Sequence, residues 1–257
     1  IYLSACQFGQ RGPLARYAGY GPLGAGYNGF SYVLGQPGKA PQTVLNSYPD
    51  FIFPPCAVAT LVAALLYRRR TGNGVYLDGS QVEAGVRMEG PAVLDYVANG
   101  RVAERLGSRE PYMAPHGVYP CLGDDRWLAI AVSSDEEWQA FVGAIGEADW
   151  CREPKFASIV ARKENEDELD ALIARWTSNY TAEQAMQLLQ DAGVPAGIVA
   201  TGEDLLNDPQ LKYREHFVFL EHKAIGRHAY HAPAYHLSKT PHHMWKAAPS
   251  LGEDNLY

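Results

Sequence analysis

The chain opens on a short apolar run, Ile1-Tyr2-Leu3-Ser4-Ala5-Cys6, which predicts a strand. A glycine-punctuated stretch follows. Gly9, Gly12, Gly19, Gly21, Gly24, Gly26, Gly29, Gly35 and Gly38 are interleaved with Tyr17, Tyr20, Tyr27 and Tyr32. Breakers at this density predict a loop and then a closely packed helix. Residues 54–70 form the clearest predicted helix. Pro54 and Pro55 suit its first turn, the body at 57–67 is apolar on every side, and Arg68-Arg69-Arg70 complement the dipole at its end. A helix apolar all round is expected to be buried. Thr71-Gly72-Asn73-Gly74 stops it. A short strand at 75–77 leads into a second helix over 80–99, with Val82, Val86, Ala92, Val93 and Val97 as its apolar positions.

The pattern changes near residue 100. Residues 101–116 read as an arginine- and proline-bearing loop. Strands are predicted at 118–121 and 127–132, joined by the turn Gly123-Asp124-Asp125. Helices follow at 135–145, 163–178 and 181–192, the last with a Thr181–Gln184 start that suits a capping box. From Phe217 onward short strands and turns return. The acidic, helix-rich middle is a candidate second domain.

Composition narrows the function classes. The chain has 257 residues, 47% hydrophobic, with a net charge of −7 and a pI near 5.6. An acidic balance argues against a nucleic-acid partner. The longest apolar run, 56–67, falls short of the ~20 residues that span a bilayer, so no membrane association is expected. No secretory leader is visible. Cys6, Cys56, Cys121 and Cys151 lie far apart, which fits neither a disulfide framework nor a zinc pattern and points to a reducing cytoplasm. A start at Ile1 inside a strand-like run is expected of a piece of something longer.

No P-loop, GxSxG elbow, HExxH or dinucleotide fingerprint is present. Asp50 is the best chemical candidate, in Asn46-Ser47-Tyr48-Pro49-Asp50-Phe51 just ahead of the apolar helix. A partly desolvated, ionised carboxylate there can act as a nucleophile. A simple capping aspartate is the alternative that local sequence leaves open. The histidines His228, His231, His236, His242 and His243 fit no standard zinc spacing and read as packing residues, so no metal is expected. Arg68-Arg69-Arg70 reads either as a phosphate holder or as a solvated helix end.

Taken together, the motifs resemble the class III CoA-transferases, the CaiB/BaiF family. The resemblance rests on Ser4-Ala5-Cys6-Gln7-Phe8-Gly9-Gln10-Arg11-Gly12-Pro13, on Gly19-Tyr20, and on Asp50 followed by Leu61-Val62-Ala63-Ala64-Leu65-Leu66 and Arg70-Thr71-Gly72-Asn73-Gly74. It continues in Ala114-Pro115-His116-Gly117-Val118-Tyr119, Gly193-Val194-Pro195-Ala196-Gly197 and Asp208-Pro209-Gln210-Leu211. The resemblance implies an α/β fold: a large Rossmann-like domain, incomplete here, plus a smaller α+β domain. The expected division is 1–116 for the large domain, 117–222 for the small one and 223–257 for a return segment. It also implies an N-terminal region that is missing here and supplies many CoA contacts, a tail at 252–257 that stops short of a helix, and an interlocked homodimer.

The resemblance further implies transfer of coenzyme A between carboxylic acids, with CoA and acyl-CoA as substrates and no permanently bound cofactor. Asp50 becomes the nucleophile that carries a mixed anhydride and then an aspartyl-CoA thioester. Tyr20 matches a tyrosine beside that aspartate, and Tyr48, Met113 and His116 are the further expected substrate contacts. Where a glycine commonly follows the nucleophile by four positions, Pro54 stands here, and the mobile glycine-rich loop of some relatives is matched by the stiffer 112–116. Two rival readings remain. The family contains alpha-methylacyl-CoA racemases, but their histidine corresponds to Tyr20, a poor general base near neutral pH. A non-catalytic subunit or inactive fragment is the other. The aromatics Tyr20, Tyr27, Tyr48, Phe51 and Phe53 predict an apolar wall suited to a medium or aromatic acyl group.

Overall fold

The computed structural model describes residues 1–43, 48–146 and 148–255; Asn46 and Ser47, beside the candidate Asp50, and the last two residues of the tail lie outside them. Strand β1 (Tyr2–Cys6) pairs in parallel with β2 (Tyr76–Ser80), in register from Tyr2 with Tyr76 to Cys6 with Ser80. Parallel strands need a long crossover. Helices α1 (Gly21–Tyr27), α2 (Phe30–Val33) and α3 (Tyr48–Thr71) lie on it.

Helix α3 departs from expectation in two ways. It begins at Tyr48 rather than at 54, so Asp50 lies in its first turn and Pro54 and Pro55 lie inside it. It is also largely uncovered. Pro49, Phe53 and Ala64 are its buried residues among those described, while Val58 is 60% exposed and Val62, Leu65 and Leu66 are about half exposed. An all-round apolar helix needs partners on every side. Here α1 and α4 (Gln81–Met88) pack along part of it. At 24 residues, with a mean hydropathy of 1.7 in its most apolar stretch, α3 is long and apolar enough to cross a membrane, judged by length and composition; the shorter run read from sequence understated it.

The predicted helix over 80–99 is two. Helix α4 ends at Met88 and α5 (Gly90–Asn99) begins after Glu89, because Gly90-Pro91 interrupts the hydrogen-bond ladder. Ser80 caps α4 by accepting from the Glu83 amide at 3.2 Å.

The best-packed part of the chain lies between Ala114 and Ile198. Strands β3 (His116–Pro120), β4 (Trp127–Ala131) and β5 (Ala196–Ile198) form an antiparallel sheet in the order β3-β4-β5. Alternation puts Tyr119, Leu128 and Ile130 on its buried face. Helices α6 (Asp135–Ala144), α7 (Ile159–Glu164), α8 (Glu166–Thr177) and α9 (Ala182–Asp191) supply the rest of that core. The helix predicted over 163–178 is divided at Asn165, whose side chain bonds the Ala161 carbonyl at 2.9 Å. Thr181 and Gln184 form the expected capping box of α9. Beyond it come α10 (Gly202–Asn207), α11 (Pro209–Tyr213) and the antiparallel pair β6 (Phe217–His222) and β7 (Gly226–His231).

Arg162 holds this core together in a way the apolar pattern does not announce. It is fully buried. Its guanidinium donates to the carbonyls of Ala114 at 2.7 Å and Phe156 at 3.2 Å and to Asp135 at 2.9 Å, and it lies 4.8 Å from the Trp138 ring centroid. Burial lowers its pKa, opposed by Asp135. Replacing Arg162 with Met leaves two carbonyls without donors. The Arg162→Met variant should lose about 2–4 kcal/mol of unfolding free energy in urea titrations; unchanged stability would show the network to be dispensable.

Candidate active site

The surroundings of Asp50 are assembled by close backbone packing on either side of it. Pro49 is buried, and a Cβ on Gly24 would lie 3.2 Å from its ring and collide with the Gln7 amide. Phe53, one turn on, packs over Gly79 so tightly that a Cβ there would overlap its ring. Helix α1 and strand β2 therefore grip the start of α3 from two sides. Gly24 and Gly79 are glycines because these approaches leave no room for a side chain.

The Asp50 carboxylate is half-buried, and its Oδ1 accepts a hydrogen bond of 2.6 Å from Gln81 Nε2. Among the described residues its Oδ2 accepts none. Negative charge is favoured at a helix N-terminus. Pro54 and Pro55 have no N–H, so the carbonyls of Asp50 and Phe51 receive no helical bond from them.

Gln81 is in turn fixed by what flanks it. The Gln7 carbonyl accepts from Ser80 Oγ at 3.2 Å and from the Val82 amide at 3.0 Å. The Gln7 side chain is 6% exposed, and neither of its amide atoms has a hydrogen-bond partner among the described residues. A buried orphan amide is costly.

The other predicted site residues are scattered. Tyr20 is the N-cap of α1; its carbonyl accepts from Leu23 and Gly24, and its ring is 72% exposed, with no hydrogen bond to Asp50 among the described residues. Tyr48 opens α3 and stacks on Phe30, centroids 4.0 Å apart. Phe51 faces solvent at 68% exposure, Phe53 lies against Gly79, and Tyr27 meets Phe8 edge-on at 5.0 Å. These rings do not form the single apolar wall expected for a medium or aromatic acyl group.

Met113 lies in the loop before β3, and His116 is the first residue of that strand. His116 Nδ1 donates to the Ser108 carbonyl at 2.6 Å, since a carbonyl can accept but not donate. It borders cavities of about 530 and 700 Å³, lined by residues of the β3-β4-β5 sheet, α8 and the 106–109 loop, and neither includes Asp50, Tyr20 or Tyr48. The loop is fastened along its length. Arg109 pairs with Asp167 at 2.6 Å and Asp170 at 2.7 Å, Lys163 donates to the Glu110 carbonyl at 2.9 Å, and Arg162 holds Ala114. Burial pushes the Tyr119 hydroxyl's pKa far up, reinforced by its 2.7 Å bond to Asp170. The histidines of the tail pair with one another: His231 with His216 at 3.3 Å, and the rings of His236 and His242 at 5.7 Å.

The profile of CoA-transferase family III matches residues 1–255. The chain belongs to this family. It is 31% identical over 255 residues to a succinyl-CoA–D-citramalate CoA-transferase of Chloroflexus aurantiacus, covering 99% of this chain and 63% of that protein. It is 34% identical over 269 residues to the probable CoA-transferase Rv1866 of Mycobacterium tuberculosis, covering 100% of this chain and 33% of that protein. The crystal structure of a CaiB/BaiF family protein from Brucella suis superposes with a TM-score of 0.85 at 26% identity, over 98% of this chain and 65% of that one. The chain thus spans less than two thirds of the length of these curated relatives.

Within this family III chain, Gln81 is the functional candidate that sequence reasoning missed. The available signal was Ser80-x-x-Glu83, a helix-start pattern that places position 81 in a first turn directly after a strand. Gly79→Val, which forces Phe53 off β2, should cost about 1–3 kcal/mol in denaturant unfolding. A wild-type midpoint in that variant would show that the contact does not secure the start of α3.

Proposed function

We propose that this protein transfers coenzyme A between carboxylic acids, with Asp50 as the covalent carrier. The observation that carries this reading is the half-buried Asp50 carboxylate at the start of α3, one oxygen bonded to Gln81 and the other without a partner among the described residues, in a chain matched along its length by family III. Oδ2 attacks the thioester carbonyl carbon, the C–S bond breaks, and CoA thiolate leaves a mixed anhydride. The thiolate then attacks Asp50 Cγ, releases the donor acid as its carboxylate and forms the aspartyl-CoA thioester. The acceptor carboxylate runs the same steps in reverse and regenerates Asp50. Splitting one exchange into several acyl transfers conserves the thioester's free energy.

Succinyl-CoA is the donor we assign, and small carboxylic acids the acceptors, because one relative is named for succinyl-CoA with D-citramalate and others for succinate with glutarate and acetyl-CoA with oxalate. The aromatic wall on which a larger acyl group was expected is not assembled around Asp50. CoA enters as substrate, with no resident cofactor. A homodimer is part of the same reading: the apolar side chains standing exposed along α3 and α5 are a surface that association would cover. A cytoplasmic setting is proposed from the free cysteines.

The test is mass spectrometry of protein incubated with succinyl-CoA, quenched with hydroxylamine and digested. A hydroxamate is expected on the peptide containing residue 50, absent in Asp50→Ala, with transfer activity down by about 10⁴-fold or more. Transfer at wild-type rate by Asp50→Ala would overturn the assignment. Sedimentation should give twice the monomer mass; a monomer at micromolar concentration would remove the dimer from the reading.

A further inference from the structure

Gln81 carries no role in the function just described beyond touching Asp50, yet its geometry is that of a fixed donor. Its Nε2 lies 2.6 Å from Asp50 Oδ1. Its backbone is pinned on both sides by the Gln7 carbonyl, through Ser80 Oγ and the Val82 amide. The carboxylate is equally fixed, because Pro49 is held at Gly24 and Phe53 at Gly79. The amide therefore cannot follow Oδ2; it stays with Oδ1.

This matters because the charge on Oδ1 changes through the reaction. In the free carboxylate it carries about half a negative charge. Once Oδ2 is acylated, or CoA is attached, Oδ1 is a nearly neutral carbonyl oxygen. When a nucleophile adds to Asp50 Cγ, Oδ1 takes a full negative charge until the adduct collapses. A donor fixed on Oδ1 binds that adduct more tightly than the covalent intermediate before it, which is the condition for acceleration.

We propose that Gln81 is a catalytic residue: its amide is the hydrogen-bond donor that stabilises the oxyanion on Oδ1 each time Asp50 Cγ is attacked. This rests on the covalent reading above. Two steps use it. In one, CoA thiolate forms the S–Cγ bond and the bond from Cγ to the acyl-bearing oxygen breaks, releasing the donor carboxylate. In the other, the acceptor carboxylate forms an O–Cγ bond and the Cγ–S bond breaks, releasing thiolate. In each, the electron pair parked on Oδ1 returns to reform the carbonyl. No net proton or electron transfer is needed. Attack by Oδ2 on the acyl-CoA gains nothing from Gln81, so the steps are affected unequally.

The experiment isolates the second use. Protein is loaded overnight with succinyl-CoA, freed of succinate and CoA by gel filtration, and mixed with succinate; discharge of CoA from the protein is followed by intact mass. Gln81→Met removes the donor. Gln81→Leu also removes it, is a strong helix former of similar size, and places no second carboxylate against Asp50. In both variants discharge should slow about 10²-fold, with the succinate concentration for half-maximal rate unchanged within about twofold. Discharge at the wild-type rate in either loaded variant would overturn the role of Gln81 and leave Asp50 as carrier. Failure of the wild-type protein to acquire CoA at residue 50 would overturn the covalent reading and this inference with it.

Discussion

β1 and β2 run side by side from Tyr2–Tyr76 to Cys6–Ser80, and Gln7 prolongs that ladder by accepting from Ser80 Oγ and the Val82 amide. The pairing joins stretches more than seventy residues apart. It fixes where α4 starts, and hence where the Gln81 amide points. The start of α3 is then set against β2 through Phe53 on Gly79 and against α1 through Pro49 on Gly24. Without this parallel pair, Asp50 would be one exposed carboxylate on an apolar helix.

The two ends of the core are built on different principles. Between Ala114 and Ile198 the chain closes on itself, with Trp138, Phe141, Phe156, Leu169, Ile173 and Leu189 essentially inaccessible and each guanidinium nitrogen of Arg162 bonded to an acceptor. The region around α3 and α5 keeps Val58, Leu94 and Val97 in water. Apolar surface left this open is normally covered by further protein. The chain spans 63% of the length of its relative from Chloroflexus aurantiacus.

Much of this was legible in the residues. The strand at the start, the Thr181 cap and the β3–β4 hairpin follow from local patterns that tertiary structure did not override. The errors came where a tertiary contact decides. Nothing local tells that an all-apolar helix is left uncovered, or that Pro54 lies seven residues into a helix rather than at its first turn. Asp50 stood out because its neighbours are apolar. Gln81 did not, because a glutamine in an amphipathic helix is ordinary until a carboxylate thirty-one positions earlier is found against it. Arg162 was invisible for a related reason, since a charged residue reads as surface until its acceptors are seen.

Pro54 and Pro55 have a mechanical side. The ladder between the first turn of α3 and its body lacks the bonds these residues would have made to Asp50 and Phe51. The turn is thus held less by its own ladder than by the packing of Pro49 on Gly24 and Phe53 on Gly79. In the proposed mechanism the Asp50 side chain passes from anion to anhydride to thioester and changes bulk at every stage. With its position set from outside rather than by its own ladder, that turn keeps the carboxylate in place while the bulk it carries changes.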